Sequence, residues 1–441
     1  MPDGRDRTFV GFGFGAIQGG LFLYEAFRSA NFGRLVVAEV LDDVVDAVRL
    51  AGGIYSVNIA HKAGVDVAAV GPIEIQRPHA EADRERIVEA ISRATEIATA
   101  VPSVRHYVSR GAESLHRILA LGLRKKIAED GPRAVIYAAE NQNHAAEILQ
   151  EAVFSEIPES ERGEVESRTR FLNTVIGKMS GVVADPSEVR DRNLTTIAPG
   201  IARAFLVEEF NRILISRIRF DDSDPEGPYS RGITIFDEKD ELLPFEEAKL
   251  YGHNAAHALM AYLGAVRGVA RIADLRSIPE LIEFVRRAFL EESGEALIRK
   301  YAGVDRLFTP QGYQEYADDL LARMLNPHLH DTVERVGRDP ERKLGWDDRL
   351  IGTMRLALSQ GIRPRRFAVG AAAALASVVP ETLETDVSAT GPCDAIWENA
   401  RPPKEEAGQI LELIENGGCV LRSWRQSGFV DLALRTNRNR R

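Results

Sequence analysis

T-F-V-G-F-G-F-G, residues 8–15, reads as a buried strand that runs into a glycine turn. A helix follows, with Ile17, Leu21 and Tyr24 along its apolar side, and R-L-V-V-A-E-V (34–40) is a second strand ending near Glu39. Strand, glycine turn, helix, strand and acid, in that order, form the opening unit of a dinucleotide-binding fold. Glycines let the backbone approach a pyrophosphate, and the helix N-terminus favours its charge. Glu39 stands where a carboxylate would accept from the adenosine ribose hydroxyls and would repel a 2′-phosphate, which points to NAD rather than NADP. Two registers are open. Counted from Gly13, the turn is Gly13-Phe14-Gly15-Ala16-Ile17-Gln18, with Gln18 where a third glycine belongs; counted from Gly11, it ends on Ala16, an accepted variant. The blander alternative is a strand-turn-helix that holds no cofactor.

Working outward, residues 54–60 and 65–76 alternate, and Gly64 and Gly71-Pro72 suggest a small antiparallel excursion. A helix over 82–94 leads into the strand 95–101, whose end, Thr99-Ala100-Val101, lies beside the cofactor in such a fold. After a helix over 112–129, the strand 134–139 ends in Glu140-Asn141-Gln142-Asn143-His144, at the edge where doubly wound sheets place their ligands. Helix capping by Asn141 or Asn143 is the structural alternative. A charged helix is expected over 150–168, and strands of a sheet extension over 170–179, 203–216 and 232–236. The acidic loop 221–228 lacks calcium-ligand spacing and reads as a solvated turn. From Phe245 to about residue 433 the pattern is almost wholly helical, broken near Pro279, Pro310, Pro327, Pro364 and Pro380, and the alanine-rich stretch 370–379 reads as a buried helix. The expected fold is therefore an α/β Rossmann-type N-terminal domain with a sheet extension (1–240), followed by a mainly α-helical C-terminal domain (241–441).

With 441 residues the chain is long enough for two or three cores. A net charge of −10 argues against a general nucleic-acid binder. Two cysteines, Cys393 and Cys419, are too few for a disulfide framework, the N-terminus shows no secretory apolar region, and no run of 18 apolar residues marks a membrane span. A cytoplasmic protein with no membrane partner is expected. The final T-N-R-N-R-R reads as a frayed basic tail. Oligomeric state is not legible.

The chemistry concentrates in E-E-A-K-L-Y-G-H-N-A-A-H (246–257). At about 100° per residue, Lys249, Asn254 and His257 point into one half of a helix. His253 and His257 have the spacing of a metalloprotease helix, but Asn254 replaces the glutamate base and no third ligand is evident, so a zinc hydrolase is disfavoured and no metal is assigned. Oxidation of an alcohol without metal suits the residues better. A lysine lowered towards neutrality takes the hydroxyl proton, and asparagine amides hold the developing alkoxide. Lys249, Asn254 and Asn141 supply those parts, Glu246 would relay the proton to solvent, and His257 would orient substrate. Arg335, Arg338, Arg342, Lys343 and Arg349 form a basic cluster, either a solvated face paired with Asp339, Glu341, Asp347 and Asp348 or an anion site for a phosphate or carboxylate.

The pattern K-x4-N-x2-H at Lys249 to His257 resembles the signature of the polyol-specific long-chain dehydrogenases, the mannitol dehydrogenase family. The surrounding K-L-Y-G-H-N-A-A-H-A-L-M-A-Y-L-G (249–264), E-E-S-G-E-A-L-I-R-K-Y (291–301) and N-P-H-L-H-D-T-V-E-R-V-G-R-D-P-E-R-K-L (326–344) extend the likeness, the last being most similar to the mannitol-1-phosphate 5-dehydrogenase branch. The resemblance implies a zinc-independent, NAD-dependent enzyme interconverting a polyol phosphate and a ketose phosphate, with its active site in the cleft between the two domains. It makes Lys249 the base, Asn141 and Asn254 the oxyanion hole, Glu246 the relay, and His257, Arg335 and Lys343 substrate ligands. Within the basic cluster itself, Arg338 and Arg342 are the residues expected to favour a phosphorylated substrate. Three segments depart from the family pattern. Gly13–Gln18 stands for G-A-G-N-I-G, Ile176-Gly177-Lys178-Met179 for V-D-R-I, and Val101-Pro102-Ser103 for V-G-P. A free polyol or hexuronate as substrate, and a nucleotide-binding sensor without turnover, are the alternatives.

Overall fold

The computed structural model describes residues 7–220, 227–385 and 388–427. The chain divides into two compact units, Met1–Leu242 and Leu243–Arg441. The first carries β1 (Thr8–Phe12), β2 (Arg34–Ala38), β3 (Tyr55–His61), β4 (Gly64–Val70), β5 (Glu74–Gln76), β6 (Ala94–Thr99), β7 (Ala134–Ala138), β8 (Thr169–Val175), β9 (Ser180–Val183), β10 (Ala204–Glu208), β11 (Leu214–Ser216) and β12 (Asp237–Lys239). The larger sheet runs β12-β11-β8-β7-β6-β1-β2-β5 and is parallel from β8 through β5. From β1 the chain goes to β2 on one side and later to β6 on the other, so a topological switch point opens at the carboxyl end of β1, where such sheets bind ligands. β1, β6, β7 and β2 are buried along nearly their whole length, as strands of a sheet covered on both faces are.

The excursion over 54–76 is two different things. β3 and β4 pair antiparallel as expected, but they belong to a second sheet, β4-β3-β10-β9, while residues 74–76 turn back as β5 and join the main sheet beside β2. The apolar run 203–216 likewise divides, β10 to the second sheet and β11 to the first. No strand forms at 232–236; Ile233 and Phe236 are buried from a loop, and the short strand is β12. The loop is held by buried Glu96, which accepts from the backbone N–H of Gly232 and Ile233 and from the Tyr137 hydroxyl. The helix expected over 150–168 is two, Ala145–Ser155 and Glu159–Arg168, broken at Pro158. The basic tail, residues 1–6 and positions 221–226 of the acidic loop lie outside the described residues.

The second unit is helical among its described residues. Pro279, Pro310, Pro327 and Pro380 each stand in the first turn of a helical segment, where the missing N–H costs nothing. Residues 367–376 of the helix Arg365–Ala376 are all buried. No helix among the described residues is long and apolar enough to cross a membrane.

Among the described residues three helices carry a π-turn, at Gln18–Phe22, Ala248–Asn254 and Phe289–Gly294. The last two share one packing contact. A Cβ on Gly252 would lie 2.6 Å from the Tyr313 hydroxyl and 2.9 Å from the Phe289 ring, and one on Gly294 would lie 2.7 Å from the Tyr313 ring. Only glycine admits that approach.

Candidate active site

In the first unit the helix begins at Ala16, immediately after Gly15, so the register runs from Gly13. Gly13 sits at φ 80°, and a Cβ there would meet the Ala100 carbonyl at 2.7 Å. A Cβ on Gly15 would meet nothing within 4 Å. The turn is thus tight at its first glycine and open above its second. Phe14 turns away from it and packs edge-on against Tyr55 and Phe205. Gln18, in the third-glycine position, lies buried over β1; a Cβ on Gly11 would fall 2.1 Å from its Nε2. Gly11 therefore vacates the space that a third glycine would otherwise have left empty. The packing leaves both polar atoms of the Gln18 amide buried without a partner.

Glu39 closes the turn from β2. One carboxylate oxygen accepts from Phe14 N at 2.7 Å, the other from Val40 N and Leu41 N at 2.6 and 2.8 Å. Across the sheet, Glu140 does the same for the end of β6. It accepts from Thr99 Oγ1 and Val101 N, each at 2.9 Å, and from the Tyr107 hydroxyl. Burial raises its pKa. Sequence reading counted Glu140 only among five polar residues after a strand, yet it is the buried one; Asn141, Gln142, Asn143 and His144 are exposed. Neither Asn141 nor Asn143 caps the next helix. Its N-cap is His144 without a side-chain bond, and Ala146 N donates instead to Asn173 of β8 at 3.0 Å.

In the second unit, Glu246, Lys249, Asn254 and His257 are half-buried positions on a helix otherwise mostly buried. The π-turn Ala248–Asn254 changes their geometry. Lys249 and Asn254 would stand roughly 140° apart on an α-helix, whereas i→i+5 closure narrows that separation and brings residues five apart towards the same side of the helix. The Lys249 amine is pushed down to about 8, by burial first and by the Arg349 guanidinium second, with Glu246 opposing. An amine at that value accepts a proton near neutrality. His253 is buried and held well below its ordinary value by desolvation, the behaviour of a core imidazole. His257 is pushed down to about 3, by burial and then by Arg335, Arg349 and Lys343.

The basic cluster falls into distinct environments. Arg335 pairs with buried Asp331, whose other oxygen lies 3.7 Å from His257 Nε2. Arg342 lies 3.5 Å from Asp348, and Arg338 is exposed. Lys343 is 3 % exposed, and its pKa falls to about 8 through burial and the neighbouring Arg349 and Arg342, with Asp339 and Asp348 acting against them. Arg349 is the cation common to Lys249, His253, His257 and Lys343. It is 13 % exposed, with Nε 2.7 Å from Asp348, and its carbonyl and that of Tyr251 lie 2.6 and 3.2 Å from the Thr353 hydroxyl. That hydroxyl ties the arginine to the π-turn. Arg349 was legible in the sequence only as one member of the basic cluster, and Asp331 had no role there, although the Asp331/Arg335 spacing of four was a legible pair signal. Among the described residues no cluster of three or more His, Cys, Asp or Glu is arranged to hold a metal.

Residues 241–410 match the family model of the mannitol dehydrogenase C-terminal domain. The mannitol-1-phosphate 5-dehydrogenase of Paenarthrobacter aurescens is 30% identical over 357 residues, 81% of this chain and 82% of that one. The chain belongs to the mannitol dehydrogenase family. It is an oxidoreductase of the polyol dehydrogenase class. The mannitol-1-phosphate 5-dehydrogenase of Pseudarthrobacter chlorophenolicus is also 30% identical, over 85% of this chain and 87% of its own. Two solved structures share the fold at 14% identity. One is Pseudomonas fluorescens mannitol 2-dehydrogenase in a ternary complex with NAD and D-mannitol (TM-score 0.65, covering 96% of this chain and 92% of that one), the other a substrate-free D-sorbitol dehydrogenase (TM-score 0.73, 97% and 95%). Where this member of the family departs from V-D-R-I, Lys178 is buried and donates to the Phe210 carbonyl at 3.0 Å, to the Glu208 carbonyl and to Asn211, whose amide in turn reaches Glu25. The substituted lysine is built into the first unit's packing.

Proposed function

We propose that the chain is an NAD-dependent, metal-independent dehydrogenase that interconverts a polyol phosphate and a ketose phosphate, mannitol 1-phosphate and fructose 6-phosphate. The observation that carries this reading is Lys249, an amine brought to about 8 by burial and Arg349 on a helix whose π-turn aligns it with Asn254.

Gly13, Phe14, Gly15, Ala16, Ile17 and Gln18 would hold the pyrophosphate side of NAD, with Glu39 at the ribose and Thr99, Ala100 and Val101 along the strand end. Open space above Gly15 supports this assignment. A carboxylate has about four lone-pair positions, so Glu39, already accepting three N–H groups, keeps about one for a ribose hydroxyl and still repels a 2′-phosphate. NAD, when bound, supplies the hydride acceptor. Neutral Lys249 takes the proton from the substrate hydroxyl. The Asn254 amide, with Asn141 as the second donor, stabilises the alkoxide oxygen, and Glu246, one turn before Lys249, passes the proton to solvent.

The finer point, phosphate against free polyol, rests on Lys343. A buried ammonium flanked by two guanidiniums is relieved by an anion. The free-polyol reading has its own support, because Asp331 and Asp348 already engage Arg335, Arg342 and Arg349. Nicotinamide absorbance with mannitol 1-phosphate, fructose 6-phosphate, free mannitol and a hexuronate tests both. Turnover on the phosphates, undisturbed by chelator and lost in Lys249→Ala with NADH binding retained, is expected. Full turnover in Lys249→Ala overturns the lysine base. Arg338→Ala or Arg342→Ala kinetics that change equally on phosphorylated and free mannitol reject the phosphate role. NADH binding without turnover on any of these would leave a nucleotide sensor.

A further inference from the structure

Asp331 stands outside every role assigned so far, and its two oxygens meet two different candidate substrate ligands. Oδ1 accepts from the Arg335 guanidinium, one helical turn on, and Oδ2 lies 3.7 Å from His257 Nε2. The Asp331 side chain is 6 % exposed. Its Oδ2 and His257 Nε2 are both buried and without a hydrogen-bond partner. The backbone around it is fixed. Ile272 N donates to the Asp331 carbonyl at 2.9 Å, Val333 N to the Ala270 carbonyl at 2.9 Å, and Thr332 bridges to Arg271. The carboxylate is therefore carried by a rigid segment and aimed at the imidazole.

An ionised carboxylate only accepts, whereas a neutral imidazole donates from one nitrogen and accepts at the other. Facing Asp331, Nε2 gains by carrying the proton and loses by presenting its lone pair. The proton on Nε2 makes Nδ1 the acceptor. Because Nε2 is shut off from solvent, the 13 % of the His257 side chain that remains accessible lies on its other atoms. At 3.7 Å the contact is longer than a hydrogen bond, and contacts of this kind tighten in the substrate complex.

We propose that Asp331 is a positioning residue whose single buried carboxylate sets the orientation of Arg335 and fixes His257 in the Nε2-protonated tautomer, so that Nδ1 accepts a hydrogen bond from a substrate hydroxyl. The inference rests on the reading of His257 and Arg335 as substrate ligands. It adds what makes them competent. His257 selects for a hydroxyl donor, and a change at Asp331 acts on substrate binding through two residues at once.

The test begins with the wild-type full-length protein labelled with ¹⁵N-histidine, where nitrogen shifts report the tautomer without any need for turnover. The His257 signals are assigned by their loss in His257→Ala. Protonated Nε2 is expected; protonated Nδ1 overturns the proposal. Asp331→Asn then offers an amide N–H to the ring while keeping an oxygen for Arg335. The His257 signals should switch to the other tautomer, and KM for mannitol 1-phosphate should rise about tenfold or more, with NADH affinity unchanged. In a His257→Ala background Asp331→Asn should add only the part that acts through Arg335. A tautomer and KM both unmoved in Asp331→Asn, with His257→Ala raising KM, overturn the proposal alone. His257→Ala with unchanged KM sinks the assignment of His257 to substrate, and the proposal with it. Should Asp331→Asn not fold, the wild-type tautomer still decides.

Discussion

Arg349→Met should move the pH dependence of this enzyme in a direction that no structural role explains. As the proposed base, Lys249 works only when neutral. With its pKa near 8, about one molecule in ten carries the free amine at pH 7, against roughly one in three thousand at the ordinary lysine value of 10.5. The oxidation rate should therefore climb about tenfold per pH unit up to a midpoint near 8 and then level off. Burial is the leading cause of the depression and Arg349 the second. Methionine keeps the bulk of the arginine stem and most of the burial, and removes the charge. The midpoint should then rise by about one pH unit, the usual size of the effect of removing a neighbouring like charge. Activity at pH 7 should fall about tenfold, and the deficit should close at high pH. Log kcat/KM for the alcohol between pH 6 and 10, in wild type and Arg349→Met, reads this directly. Glu246→Gln gives the opposite sign, because its carboxylate raises Lys249. A wild-type limb that rises only above pH 10, or a midpoint unmoved in Arg349→Met, refutes the reasoning. A pH-independent loss would make the arginine a packing residue.

Gly11→Ala should destabilise by about 1–3 kcal/mol in denaturant melts, since its Cβ falls 2.1 Å from Gln18 Nε2; in a Gln18→Ala background most of that cost should vanish, and an undiminished cost would deny the coupling. Glu140→Gln should weaken NADH binding by about tenfold with little change in KM for the polyol, because one of three groups held at the end of β6 loses its acceptor; fluorescence titration checks it. Gly252→Ala should lower kcat more than stability accounts for, its Cβ being 2.6 Å from the Tyr313 hydroxyl at the π-turn that aligns Lys249 with Asn254; Tyr313→Phe in the same chain should restore part of the rate. Lys249→Met should abolish turnover and raise the melting temperature by about 2–4 °C if removing the buried cation gains about 1 kcal/mol; a lower melting temperature would show the amine to be structurally satisfied.

Much of the first unit could be read from its sequence because local patterning carried it. The glycine turn, the apolar strands around it and the acid at the end of β2 are short-range signals, and the switch point at β1 follows from them. What escaped depends on partners far along the chain. Residues 74–76 are too few to announce β5, which exists because β2 offers its edge. The run 203–216 reads as one apolar segment, yet β10 is claimed by β3 and β9 and β11 by β8. Nothing local in Q-G-G-L-F or A-K-L-Y-G-H-N calls for i→i+5 closure. The π-turn at Lys249 comes with glycine packing against Tyr313 and Phe289, about 60 and 40 residues onward. The register at Gly13 was undecided for the same reason. Gln18 is acceptable in the third-glycine position only because Gly11, on the strand beneath it, has no side chain.

That same dependence separates the chemistry from its nearest rival. A chain kept only to bind nucleotide would have no use for the cost concentrated around Lys249. The amine is desolvated and set near a guanidinium. Another lysine, the buried Lys343, feels the same guanidinium, and the imidazole of His257 is driven to about 3. Several like charges gathered on one wall, held by the Thr353 hydroxyl and two aspartates, cost stability that drift would relax by substituting any one of them. The family departures do not weigh against this. Lys178 has three acceptors in the first unit, and Gln18 has its space above Gly11, so both are accommodated changes in packing around the nucleotide turn. The perturbed residues of the second unit are where the enzyme's proton chemistry would have to be lost for a sensor to remain.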